Sequence, residues 1–127
     1  MIAIEVDRRA ADEDLRNLWL AVWAESRPAD FAAVLSRSLV YVCAYDGPTL
    51  VGFVNVAWDG GKHASVFDTP VHPEYRRRGV GSRLIKRAIE LARQRGAHWL
   101  HVDFEPHLSE FYGKCGFRPT AAGLIEL

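Results

Sequence analysis

The densest concentration of chemistry in this chain is a seven-residue run, Arg76-Arg77-Arg78-Gly79-Val80-Gly81-Ser82. Val80, Leu84, Ile85, Ala88, Ile89 and Ala92 recur at helical spacing, which predicts a helix from Gly79 to Arg95 ended by Gly96. The first N–H groups of such a helix have no internal partners, and its dipole favours an anion there. Two glycines let the backbone approach a ligand closely, and three guanidiniums suit phosphate oxygens. The run is therefore an anion seat of a size that suits a pyrophosphate, and a bulky side chain at Gly81 is expected to occupy the pyrophosphate position. These residues alone leave the ligand open. A P-loop string GxxxxGK[ST] is absent. Leu84 stands where a dinucleotide fingerprint needs its third glycine, although Asp103 lies near the distance of that fingerprint's ribose-binding acid. A solvated basic turn, or a nucleic-acid patch with Tyr75 beside the arginines, remains as an alternative.

The whole chain has 127 residues, 49% hydrophobic and 25% charged, which reads as one soluble globular domain over residues 1–127. Its 16 basic and 16 acidic residues cancel, yet they are sorted along the chain. Residues 72–96 carry 8 basic against 2 acidic residues, while residues 1–71 carry 6 against 10 and residues 97–127 carry 2 against 4. A neutral total argues against a general nucleic-acid or anionic-membrane binder. No apolar run approaches the ~18 residues of a membrane span, and Met1 to Asp7 reads as a strand rather than a signal peptide. Cys43 and Cys115 form no CxxC, so neither a disulfide scaffold nor a structural zinc site is expected, and a cytoplasmic setting is.

The elements that must position the seat follow from periodicity. Ile2 to Val6 alternates like an edge strand. Asp12 to about Trp23 is helical, with acids in its first turn, Pro28 breaks it, and a short helix follows from about Ala29 to Arg37. Leu39 to Tyr45 and Thr49 to Trp58 form a hairpin about Asp46-Gly47-Pro48. Asp59-Gly60-Gly61 turns into a strand from Ala64 to Val71. Beyond the helix, His98 to Phe104 is a strand, Leu108 to Lys114 a short helix, and Gly123 to Leu127 a last strand. The order predicts an α/β (α+β) domain with a mixed sheet and helices on both faces. The unit from Val66 to Phe104 should be a right-handed parallel crossover.

At this point the chain resembles the GCN5-related N-acetyltransferase (GNAT) superfamily. Arg76-Arg77-Arg78-Gly79-Val80-Gly81 is similar to that family's acyl-CoA motif [Q/R]-x-x-G-x-[G/A], and Val71-His72-Pro73 to the strand ending before it. Phe111-Tyr112-Gly113-Lys114-Cys115-Gly116-Phe117 is similar to the family's F-Y-x-x-x-G-F, about thirty residues downstream. The resemblance implies a mostly antiparallel sheet with splayed parallel central strands. It implies acetyl-CoA as co-substrate, with Arg76, Arg77, Arg78, Gly79, Val80, Gly81 and Ser82 at its pyrophosphate, and Val71 and Tyr112 along its arm. It implies no metal. Where the family often has an asparagine, seven residues before the tyrosine, this chain has Glu105.

Acyl transfer to an amine needs a proton acceptor, donors for the developing oxyanion, and an acid for the leaving thiolate. The resemblance assigns the acid to Tyr112. Asp68, His101, Asp103 and Glu105 lie on strands bordering the implied cleft, the last three alternating and so sharing one face, and any of them could take the proton directly or through water; Glu105 is expected first, then Asp68. His98, His101, Asp103 and His107 raise the question of a metal, but no cysteine or HExxH supports one. Cys115 is expected to be a packed thiol rather than a nucleophile. The resemblance implies an acceptor pocket on the first two helices and the strand-to-strand loops, where Trp19, Trp23, Trp58 and Asp103 are expected to touch the acceptor with Phe31, Asp59 and His63 nearby, although Trp19 and Trp23, one helical turn apart, also fit plain core. Aromatic rings and acidic flanks favour an aromatic or cationic small amine. The reading is a small-molecule amine N-acetyltransferase, with a homodimer allowed. The alternatives are a non-catalytic acyl-CoA sensor or interaction domain, or a protein lysine or N-terminal acetyltransferase.

Overall fold

The computed structural model describes residues 1–23 and 30–127; the expected helix break at Pro28 and the helix start at Ala29 lie outside them. The strands are β1 (Ile2–Val6), β2 (Ser38–Asp46), β3 (Thr49–Trp58), β4 (His63–Phe67) and β5 (Trp99–His101), in sheet order β1-β2-β3-β4-β5. The first four pair antiparallel, and β4 pairs with β5 in parallel. The helices are α1 (Asp12–Trp23), α2 (Phe31–Leu35), α3 (Val80–Gln94) and α4 (Ser109–Lys114).

Alternation along β2 and β3 sends successive side chains to opposite faces and builds two cores. Val40, Val42, Ala44, Val54 and Val56 pack with Val80, Leu84, Ile85 and Ala88 of α3. Cys43, Tyr45 and Phe53 pack on the other face with Leu15, Leu18 and Trp19 of α1 and Phe31 of α2. Each fully buried Val, Leu or Ile contributes roughly 1.5–3 kcal/mol, so α3, with six buried apolar residues, is anchored mainly by its apolar stripe. Gly52 of β3 makes this possible: a Cβ there would lie 2.9 Å from Leu84 Cδ1, so only glycine lets α3 lie this close.

Three expectations are corrected. The strand after α3 runs only over Trp99–His101, not to Phe104. The alternation that was to align Asp103 and Glu105 with His101 therefore stops at His101. The strand expected over Gly123 to Leu127 does not form, and the segment is exposed, Leu124 at 92%. Pro119 lacks an N–H, and Ala121-Ala122-Gly123 has no β-branched side chain to favour a strand. Finally, β4 is regular only to Phe67, because the chain then bulges.

Candidate active site

The bulge is visible in the register. Phe67 pairs with Asn55 and Val71 with Gly52, so four steps on β4's continuation oppose three on β3. The extra residue lies within Asp68-Thr69-Pro70, and Asp68 takes the left-handed φ of 47°. After it the chain rejoins β3: Phe53 N–H donates to the Pro70 carbonyl at 3.0 Å, and His72 N–H donates to the Val51 carbonyl at 2.8 Å. Val71 sits between these two bonds, so its own N–H and C=O point away from β3. They face the gap that opens because β5 leaves β4 after the Ser65–His101 pair. A linear amide-bearing ligand can add there as a short strand.

At the far end of Val71 stands the arginine loop. The His72 ring Nδ1 accepts the Glu74 N–H at 3.2 Å, and the Tyr75 hydroxyl donates to the Asp46 carboxylate at 2.5 Å. That bond to Asp46 is the main reason the Tyr75 phenol is raised above its usual range. Arg78 lies 5.0 Å over the Tyr75 ring. Arg77 and Gly79 both have left-handed φ, 64° and 75°. Gly79 precedes the first turn of α3 and has no side-chain cap, so the N–H groups that begin the helix are left for a ligand. Arg76, Arg77 and Arg78 are exposed around this turn, and Ser82 is half-buried in it.

The two glycines do different work. A Cβ at Gly79 would meet nothing within 4 Å, and its positive φ is what requires glycine. A Cβ at Gly81 would lie 3.3 Å from the Phe111 ring and 3.6 Å from Val71. Gly81 therefore faces α4 and the β4 continuation, not the anion seat, which corrects the expectation that its side chain would displace a pyrophosphate. It lets α3, α4 and Val71 close together behind the seat.

Tyr112 of α4 is buried, stacked on Phe104 at 4.8 Å and edge-on to Phe111 and Phe117. Burial raises its phenol, the Thr69 side chain in the bulge opposes that shift, and Cys115 and Asp103 add to it. The tyrosine thus stands against the bulge, with Asp103 in range. Burial also raises the Cys115 thiol, against Lys86 and Ser82, so it is no ready thiolate. Cys43, in the core, is raised to about 12.

The remaining expected residues separate. Asp68 is raised by the protein around it, yet water reaches its carboxylate, so little of that desolvation acts in full. Glu105 is exposed and enters the short 3₁₀ turn Pro106–Leu108, its carbonyl accepting the Leu108 N–H at 2.9 Å. Trp19 is 3% exposed, wedged between Trp23, Phe31 and Phe53, so the expected acceptor contact is corrected to a core role. Trp23 keeps one exposed side. Trp58 donates its indole N–H to the Gly61 carbonyl at 2.9 Å and thus braces the β3–β4 turn. Among the described residues, no cluster of three or more His, Cys, Asp or Glu side chains can hold a metal.

The feature that sequence reasoning missed is a histidine pair. His63 Nδ1 and His101 Nε2 lie 2.8 Å apart, with ring centroids 5.0 Å apart. The two are 38 positions apart, and only the parallel register of β4 with β5 joins them. The sequence places His63 near the acceptor and His101 among the candidate proton acceptors, but no local spacing signals their contact.

Comparison with known proteins gives the family and the fold. The family model described as "Acetyltransferase (GNAT) family" matches residues 8–117. A GNAT family acetyltransferase structure from Streptococcus pneumoniae TIGR4 superposes with TM-score 0.85 at 29% identity, covering 100% of this chain and 98% of that one. An aminoglycoside N-acetyltransferase in complex with CoA gives TM-score 0.79 at 19% identity, covering 100% and 94%, and shares the fold. A probable glucosamine 6-phosphate N-acetyltransferase from rice is 40% identical over 58 residues, which are 46% of this chain and 35% of the relative. The matched stretch thus spans about a third of that relative's length.

Proposed function

This chain belongs to the acetyltransferase (GNAT) family, and from that premise we propose that it transfers an acetyl group from acetyl-CoA to a small primary amine. The observation that carries the reading is the bulge at Asp68-Thr69-Pro70, which turns Val71's N–H and C=O into the gap beside β5 while Tyr112 stands against Thr69.

The residues present fit acetyl-CoA. The start of α3, with Arg76, Arg77, Arg78 and Gly79, would hold the pyrophosphate, and Val71 would pair with the amide-bearing arm. Bound there, acetyl-CoA supplies an activated thioester carbonyl. A backbone N–H freed by the bulge is a fitting donor for the charge that develops on its oxygen. Tyr112, raised above the ordinary ~10 of a phenol, stays protonated at neutral pH and can donate to the departing sulfur. Asp68 in the bulge and Asp103 in reach of Tyr112 put carboxylates beside the gap, which would draw a protonated amine.

The acceptor belongs to small amines carrying an aromatic or cationic group, with amino sugars in the same panel because relatives are named for them. The test is release of free CoA from acetyl-CoA with arylalkylamines, polyamines, glucosamine 6-phosphate, aminoglycosides and lysine peptides. The expected result is saturable, amine-dependent release with a small amine. Acetylation of lysine peptides alone would move the acceptor to protein, and acetylation of anionic amino acids alone would contradict the charge argument.

A further inference from the structure

We propose that the His63–His101 pair is the proton acceptor and relay for the incoming ammonium. This rests on the acetyl-transfer reading above and assigns its proton path to residues on β4 and β5.

Placement comes first. Ala64 and Val66 of β4 are buried under α3, so His63, Ser65 and Phe67 point to the opposite face, as Trp99 and His101 do on β5. The two histidines are exposed there, and His101 is the last residue of β5 before the strands part. Asp103, two residues past the end of β5, is within electrostatic reach of Tyr112. The pair therefore stands at the closed end of the gap whose flank carries Thr69 and Tyr112. Phe67 and Trp99, 45% and 54% exposed, flank it as apolar surface, with the Arg118 guanidinium 5.9 Å over the Trp99 ring.

Chemistry comes next. At neutral pH a primary amine arrives as an ammonium, and only its neutral form attacks. An imidazole titrates nearest to neutrality of all ordinary side chains, which suits a general base. A hydrogen-bonded pair does more than one ring. The contact engages His63 Nδ1 and His101 Nε2, which leaves His63 Nε2 and His101 Nδ1 outside it. In a neutral pair one of these two outer nitrogens carries a hydrogen and the other a lone pair. With the lone pair on His101 Nδ1, the ammonium N–H bond breaks, its electrons remain on the amine nitrogen, and the proton joins His101 Nδ1. The shared hydrogen then passes from His101 Nε2 to His63 Nδ1, and His63 Nε2 releases its own proton to water. No oxidant or co-reactant is needed, and the pair ends with its tautomers exchanged.

The surroundings suit a transient positive charge on His63. Asp59, in the β3–β4 turn, accepts the Gly61 N–H at 2.7 Å and the His63 N–H at 3.3 Å. The Gly61 bond is the main reason its carboxyl is lowered, and the nearby His63 adds to that effect. Lys62 lies in the same turn, Asp103 two residues past His101, and Arg118 over the ring of Trp99, which pairs with His63. Asp59 would thus hold the imidazolium while Lys62 hastens its loss of a proton.

The experiment compares His101→Ala, His63→Gln and the double variant for amine-dependent CoA release across pH, with CoA affinity measured on each. Both side chains are exposed, so unchanged CoA affinity reports an intact fold. His101→Ala should lower kcat/KM for the amine by ~100-fold or more at neutral pH, the usual range for a general base. Added imidazole should restore part of it. His63→Gln keeps a hydrogen bond but cannot relay, and should cost ~10-fold; the double variant should fall no further than His101→Ala, because the two act as one unit. A loss below about fivefold in His101→Ala, or an equal loss of CoA affinity, overturns the role while leaving acetyl transfer intact. If the unaltered protein releases no CoA with any amine, acetyl transfer itself fails, and the relay with it.

Discussion

The two ends of the cleft are built by different means. The anion end is made of backbone: a left-handed Gly79, the free N–H groups of α3 and a strand turned outward by a bulge. The acceptor end is made of side chains that three separate segments bring together: His63 from β4, His101 from β5, and Asp59 from a turn. Backbone geometry is written in contiguous residues, so a short stretch can specify it. Side-chain constellations exist only once strands are in register. The first end can therefore be shared widely among proteins with one co-substrate, while the second is free to follow the acceptor.

If that contrast holds, the largest loss of CoA affinity should come from Gly79→Val. A β-branched residue at a φ of 75° costs about 1–2 kcal/mol for the left-handed backbone, and relief of that strain would move the seat itself. CoA affinity, measured by calorimetry, should fall ~100-fold or more. Gly81→Val should instead report on packing: its side chain must push on Phe111 and Val71, so the melting temperature should drop along with affinity. Equal effects at the two positions would break the distinction between seat and support.

Trp19→Ala is next. Removing a buried tryptophan costs about 3–5 kcal/mol, read by urea denaturation, with turnover per folded molecule unchanged. Loss of turnover without loss of stability would return Trp19 to the acceptor site. Tyr112→Phe should lower kcat by ~100-fold with CoA affinity nearly intact, which marks a group used in the transition state. A comparable loss of CoA affinity would make Tyr112 a binding residue only.

The smallest effect is expected at Asp68. Its carboxyl is raised by the surrounding protein, so its favourable protonated form contributes fully below the unfolded value of ~3.9 and that contribution is lost as pH rises through the folded value. At neutral pH the ionised carboxylate is a mild liability, reduced by the water that reaches it. Asp68→Asn should stabilise the protein by less than ~1 kcal/mol at neutral pH, since Asn tolerates the left-handed backbone, and the gain should vanish in acid. Thermal melts from pH 3 to 8 measure this; destabilisation at neutral pH would mean that the charge is paired.

How much of this was legible follows the same divide. The arginine loop, α3 and the FY motif are local, and their periodicity and residue types mark them without a structure. The parallel crossover followed from element order. The bulge was not legible, because aspartate tolerates a left-handed φ but nothing in the local residues marks Asp68 as the place where the strand takes one. The short β5 was missed because Val102 and Phe104 continue the alternation after the pairing ends. Trp19 and Trp23, one helical turn apart, look alike in sequence, and only the placement of α2 buries the first against Phe31. The histidine pair depends on the β4–β5 register, which no stretch of either strand encodes.

The neutral sum of charges thus resolves into a basic segment over residues 72–96 and an acidic remainder, which under the proposed function would serve two substrates of opposite charge. The measurement that tests this most directly is free CoA release from acetyl-CoA, followed with and without small amines on the unaltered protein. The account predicts release that saturates in both substrates, needs a cationic amine and weakens as salt rises. CoA bound tightly at the seat, with no amine raising release above slow hydrolysis, would contradict it.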